Sequence, residues 1–180
     1  MEFHLIIGPM FAGKSTELIR IANRYKSIGK TILAINHSSN TRYDTDQITT
    51  HNKTRLEPCL IAEKLSNVDS TPEFSSCDII LVEELQFFED AFESIIRWIE
   101  THKKTVIAAG LHGDINRNMF GDVLKLLPYA DTVTKLSALC KRCGDGTLAH
   151  FTKKKSKDQG EVIVGGEELY ESVCRKHFLS

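Results

Sequence analysis

Two groups of residues have the types and spacing to do chemistry. In Gly8-Pro9-Met10-Phe11-Ala12-Gly13-Lys14-Ser15 an eight-residue turn carries glycines, then an amine and a hydroxyl. Glycines let the backbone curl tightly and aim its N–H groups inward, where they and the start of a following helix hold phosphate oxygens. This is the pattern G-x-x-x-x-G-K-[ST] of a phosphate-binding loop, in which Lys14 reaches the β- and γ-phosphates of ATP and the Ser15 hydroxyl ligates Mg²⁺. A chance glycine-rich turn has no reason to fall between an apolar strand-like run, Phe3 to Ile7, and a helical pattern that starts at Lys14.

The second group is Cys140-Lys141-Arg142-Cys143 and Cys174-Arg175-Lys176-His177. Each C-x-x-[CH] knuckle places two ligands on one tight turn, and together they make a tetrahedral Cys₃His set for Zn²⁺. A redox C-x-x-C explains one knuckle but not two. Four protein ligands leave no coordination position for substrate, so the expected zinc is structural. The other cysteines, Cys59 and Cys77, have no ligand-spaced partners and read as small buried apolar residues.

A third, smaller signal is the acid pair Glu83-Glu84 at the end of the apolar run Ile79-Ile80-Leu81-Val82. A carboxylate at the C-terminal edge of a parallel strand commonly serves the Mg²⁺ of a phosphate-loop enzyme, and a neighbour can act on the nucleophile. Alone, the pair reads equally as a solvated helix cap. Adjacent residues on an extended strand point to opposite sides, which predicts different jobs for Glu83 and Glu84.

These groups need a frame, and the apolar spacing supplies one. Phe3–Ile7, Thr31–Asn36, Ile79–Val82, Thr105–Ala109 and Thr132–Leu136 read as strands. Between them Leu18, Ile21, Ala22, Tyr25 and Ile28, stopped by Gly29, and Phe92, Ile95, Ile96 and Ile99 recur at helical spacing. A short helix is expected at Val123, Leu124 and Leu127, ending near Pro128. Alternation of this kind predicts an α/β fold, a parallel sheet with helices on both faces. His37 to about Arg55 is polar without a period and reads as a functional loop. The pattern changes after Leu139, so we expect an ATP-binding domain over residues 1–138 and a small zinc-stapled domain over 139–180.

Composition narrows the partners. The chain has 180 residues, 41% hydrophobic and 26% charged, with a formal net charge of −1. That balance gives no global attraction to nucleic acid or to an anionic membrane. No run approaches the about 20 apolar residues of a membrane span, and the N-terminus lacks a signal-peptide pattern. A cytoplasmic protein is expected, and an odd count of 5 cysteines there argues for thiols or metal ligands over disulfides.

Nearly the whole chain resembles the cellular (type II) thymidine kinases. The resemblance is carried by Gly8 to Thr16, Glu84-Leu85-Gln86-Phe87-Phe88, Leu111-His112-Gly113-Asp114, Cys140 to Cys143, Val164-Gly165-Gly166 with Tyr170, and Cys174 to His177. It implies transfer of the γ-phosphate of ATP to the 5′-hydroxyl of thymidine. Glu84 would be the general base, Ser15 and Glu83 would serve Mg²⁺, and the loop with Thr16 and Arg42 would hold the nucleotide. The thymine would lie among Met10, Phe87, Leu111, Phe120 and Tyr170, with Thr152, Val164 and Gly165 on a lasso-like loop between the knuckles. The resemblance further implies a homotetramer and feedback inhibition by dTTP. This sequence departs from the family at Glu83, where Asp is usual, at Leu85, where a small residue is usual, and at Ile115, where an aromatic is frequent.

Two other classes share parts of the pattern. A nucleoside monophosphate kinase needs several arginines for its second phosphate, whereas only Arg42 and Arg117 stand near the expected site. A zinc-ribbon nucleic-acid-binding ATPase would use Lys141, Arg142, Lys153, Lys154, Lys155 and Lys157 as its basic face. The near-neutral chain and the lack of stacking motifs weigh against it.

Overall fold

The structure is a computed structural model that describes residues 1–39, 48–49, 55–56, 59–155 and 165–180, with the backbone pairing alone for 48–49 and 55–56. Arg42 and Val164 lie outside the described residues.

In chain order the strands are β1 (Glu2–Gly8), β2 (Ile32–His37), β3 (Ile48–Thr49), β4 (Arg55–Leu56), β5 (Cys59–Ala62), β6 (Ile79–Val82), β7 (Thr105–Leu111) and β8 (Thr132–Lys135), followed by β9 (Ala138–Leu139), β10 (Leu148–Ala149), β11 (Phe151–Lys154) and β12 (Tyr170–Val173). The helices are α1 (Lys14–Lys26), α2 (Pro72–Ser76), α3 (Ala91–Ile96) and α4 (Arg175–Leu179). Six strands form one parallel sheet in the order β5-β2-β6-β7-β1-β8.

The continuous apolar runs follow from burial of both sheet faces. Phe3, Leu5, Leu33, Ile35, Ile80 and Val106 face one way, toward a core that includes Phe88, Ile95 and Trp98. Ile6, Ala34, Ile79, Leu81, Ile107 and Ala109 face the other, toward Leu18, Ile19, Ile21 and Ala22 of α1. One helix thus covers one face, and the elements between β5 and β8 cover the other.

Three expectations needed adjustment. Ile28 lies beyond the end of α1 and is exposed, because the helix stops at Lys26 and Gly29 turns at φ 78°. The short helix is a 3₁₀ segment, Val123–Tyr129, that contains Pro128 rather than ending before it. The segment between the knuckles is not simply a loop: β11 pairs antiparallel with β12, Phe151 opposite Val173 and Lys154 opposite Tyr170. The edge strand β5 had no counterpart in the sequence reading.

Candidate active site and metal centre

Strands β1, β6 and β7 are adjacent and parallel, so the segments leaving their C-terminal ends open on one edge of the sheet. The segment after β1 is the phosphate-binding loop. A Cβ on Gly8 would meet the Leu136 carbonyl oxygen at 2.8 Å, so only glycine lets the loop leave the sheet here. Gly13 stands at φ 82° as the residue before α1, a left-handed turn that frees the first N–H groups of the helix to point into the loop. Lys14 donates to the Pro9 carbonyl at 2.9 Å, which folds the amine back over the loop.

Glu83 follows β6. It is buried and accepts the Ser15 hydroxyl at 2.6 Å. A hydroxyl and a carboxylate oxygen side by side, beside a phosphate loop, are the hard donors that Mg²⁺ takes. Glu84 turns away: its backbone is left-handed, φ 53° and ψ 42°, and its carboxylate accepts from Gln86 at 2.6 Å. The two acids do part, as expected, though through this turn and not through strand alternation. A left-handed non-glycine residue is costly and is held only where its surroundings demand it.

The apolar residues assigned to the nucleoside come together. Met10, Leu111 and Tyr170 form a buried cluster with Phe120 and Ile115 packed against it. The rings of Phe87 and Phe120 meet edge to face, 5.6 Å apart. Thr152 is buried, and its hydroxyl accepts the Met10 N–H at 3.0 Å, which joins β11 directly to the phosphate loop. Gly165 is buried near Leu169. Thr16 is exposed on the first turn of α1.

Two residues without an assigned role also sit here. His37 ends β2 against the edge of the Phe88 ring, 4.7 Å between centroids, and burial lowers its pKa. Gln86 is buried between Glu84 and Leu111. Their signal in the sequence is a polar residue set among apolar ones, which demands partners but does not name them.

Cys140, Cys143, Cys174 and His177 bring their ligand atoms within 4.8 Å of one another. A tetrahedron with Zn–S about 2.3 Å and Zn–N about 2.05 Å has S···S edges of about 3.8 Å and S···N edges of about 3.6 Å. Cys143 and Cys174 lie at 3.8 Å, and His177 Nδ1 lies 3.4 Å, 3.4 Å and 3.5 Å from Cys140, Cys143 and Cys174. The cluster therefore fits zinc in donor type and in size. Burial raises both knuckle thiols, but the Cys174 N–H and His177 draw Cys140 down while Cys140 pushes Cys143 further up, so Cys140 is the first of the two to become a thiolate. Around the cluster Ala138, Ala149 and Val173 make a small core, and Phe11 and Ala12 of the phosphate loop pack against it.

Fold and site together define a phosphate-loop nucleotide-binding protein with a Cys₃His cluster beside its loop. Comparison with known proteins narrows this. A family model, thymidine kinase, matches residues 1–178. The chain is 38% identical over 182 residues to a thymidine kinase of Oryza sativa subsp. japonica, covering 99% of this chain and 66% of that protein. It is 39% identical to thymidine kinase a of Arabidopsis thaliana, covering 98% and 74%, and 40% identical to the thymidine kinase of vaccinia virus (strain Western Reserve), covering 99% and 97%. The chain belongs to the thymidine kinase family. Among solved structures it is similar to the flagellar accessory protein FlaH from Methanocaldococcus jannaschii, with a TM-score of 0.50 and 16% identity over 82% of this chain and 74% of that one, a likeness of fold alone. Among the described residues no helix is long and apolar enough to cross a membrane.

Proposed function

We propose that this chain transfers the γ-phosphate of ATP to the 5′-hydroxyl of thymidine, with Glu84 as the general base. The class of reaction comes with the family; the roles are argued from placement. The supporting observation is the shared sheet edge, where the phosphate loop, Glu84 and the Met10–Leu111–Tyr170 cluster open side by side. Thymidine bound on that cluster presents its 5′-oxygen toward Glu84. The carboxylate takes the hydroxyl proton as the O5′–Pγ bond forms and the bond from Pγ to the β,γ-bridging oxygen breaks, releasing ADP. Lys14 swings from Pro9 to the developing charge on the γ-phosphate. When bound, Mg²⁺ held by Ser15 and Glu83 would neutralise phosphate charge.

Zinc at the Cys₃His cluster serves structure in this reading, ordering β11 and β12, which carry Thr152 and Tyr170. Residues 1–138 act as the ATP-binding unit and 139–180 as the zinc-bearing one. From the family resemblance alone, Arg42 is assigned to the phosphates and Val164 to the base. A cytoplasmic homotetramer restrained by dTTP completes the proposal.

A panel of nucleosides and nucleoside monophosphates with Mg-ATP tests it. Thymidine is expected to be phosphorylated, and Glu84→Gln to lower kcat by about 10²–10⁴-fold with both substrates still bound. Turnover of monophosphates instead of thymidine, or near-normal kcat in Glu84→Gln, would overturn it.

A further inference from the structure

Gln86 lies in the 3₁₀ turn Leu85–Phe87, two residues past Glu84, and is 4% exposed. Both ends of its amide are used. Oε1 accepts the Leu111 N–H at 3.0 Å, and Nε2 donates to Glu84 Oε2 at 2.6 Å. A backbone N–H can only donate, so it fixes which end of the amide is oxygen and leaves the NH₂ facing Glu84. The residue is closely packed at both its side chain and its backbone. A Cβ at Gly110 would meet Oε1 at 3.1 Å, and a Cβ at Gly121 would meet the Gln86 carbonyl oxygen at 2.5 Å. Strand β7 and the chain after Phe120 therefore close on it from two sides.

We infer that Gln86 is a positioning residue for the phosphoryl transfer: it ties the Glu84 carboxylate to Leu111, the wall of the nucleoside pocket. The inference rests on the reading of Glu84 as the base. Two things have to be set relative to each other for that base to work, the seat of the thymine and the carboxylate that meets the 5′-oxygen. The seat includes Leu111, packed with Met10 and Tyr170. The carboxylate stands on a left-handed residue outside any strand, so strand geometry does not aim it. Gln86 spans the two with a rigid planar group, so a shift of Leu111 carries the carboxylate with it. A misplacement of about 1 Å at a reacting group is enough to cost about 10²-fold.

Two variants separate this role from a bland packing role. Gln86→Asn keeps an amide but is one methylene too short to hold the Leu111 N–H and Glu84 together. Gln86→Met keeps the approximate shape and loses both bonds. In each, kcat is expected to fall about 10–100-fold while KM for thymidine and for ATP stays within about threefold, because the seats remain and only the aim is lost. Thermal unfolding confirms the fold, and Gln86→Asn carries the test if Gln86→Met does not fold.

The deciding measurement is a double-mutant cycle in kcat. A residue that acts through Glu84 has nothing left to position once Glu84 is Gln, so adding Gln86→Asn to Glu84→Gln is expected to change kcat less than about twofold. Multiplying losses would assign Gln86 to general packing and overturn the inference, as would wild-type kcat in Gln86→Asn. If Glu84→Gln loses kcat and Gln86→Asn does not, this inference alone falls. If Glu84→Gln keeps wild-type kcat, the base assignment falls and takes this inference with it.

Discussion

The two chemistry-bearing regions are held in place by different means. The phosphate loop hangs from a six-stranded sheet with a buried core on each face, including the fully buried Phe3, Leu5, Ile80 and Trp98 on one side and Ile6, Leu18 and Leu81 on the other. Burying such side chains stabilises by about 1.5–3 kcal/mol each, so the loop inherits its shape from ordinary apolar burial. The region of the Cys₃His cluster has two-stranded sheets and a core of Ala138, Cys140, Ala149, Val173 and Cys174, two of which belong to that cluster. A core so small offsets little of the entropy of ordering its strands, and a metal closing the knuckles would add to it. Under the proposed function, ATP binding is therefore expected to respond to changes at the loop and thymidine binding to changes at the cluster.

The heaviest loss is expected at Lys14. Lys14→Ala is expected to lower kcat by about 10²–10³-fold, since it removes the amine that the loop itself carries for the γ-phosphate, while thymidine still binds. A parallel loss of thymidine affinity, measured by titration calorimetry, would mean that the loop shapes both seats.

Next in size is the metal. Cys143→Ser is expected to lose zinc and to raise the thymidine KM about tenfold or more, because ordering even one backbone residue costs about 1–2 kcal/mol. The ATP KM is expected to change less than about threefold. Metal content by atomic emission and both KM values on folded protein check this.

Thr152 sharpens the comparison, because its hydroxyl joins the two regions at the Met10 N–H. Thr152→Val leaves that buried N–H without its acceptor, at a cost of about 1–3 kcal/mol. Both KM values are expected to rise together, unlike in Cys143→Ser; a rise in one alone would make the bond a local feature. The smallest effect is expected from Ile80→Val, deep in the sheet, which removes one methyl group for about 0.5–1.5 kcal/mol of stability and leaves both KM values unchanged.

How legible each region was follows from how local its signals are. The phosphate loop is contiguous between one strand and one helix, so Gly8, Gly13, Lys14 and Ser15 could be read without knowing the fold. The knuckles are each four residues long, and metal chemistry joined them across the chain. Strand β5 was missed because Cys59–Ala62 is short and its first three residues are only partly buried at a sheet edge, so it shows no clean run. The β11–β12 pairing was missed because Phe151 to Lys154 finds its partner only at Tyr170 to Val173, and no local pattern marks such pairing. Gln86 was visible as part of a motif, but its role depends on Leu111, which lies 25 positions away. The turn at Glu84 was hidden for the opposite reason: a left-handed glutamate runs against local preference, and tertiary contacts impose it.

The contrast between the regions is tested most directly by following both affinities as zinc is returned to metal-depleted protein. Thymidine affinity is expected to recover in step with zinc, saturating at one ion per chain, while affinity for a non-hydrolysable ATP analogue stays within about threefold throughout. Thymidine affinity that does not change with zinc, or two affinities that rise together, would contradict that contrast.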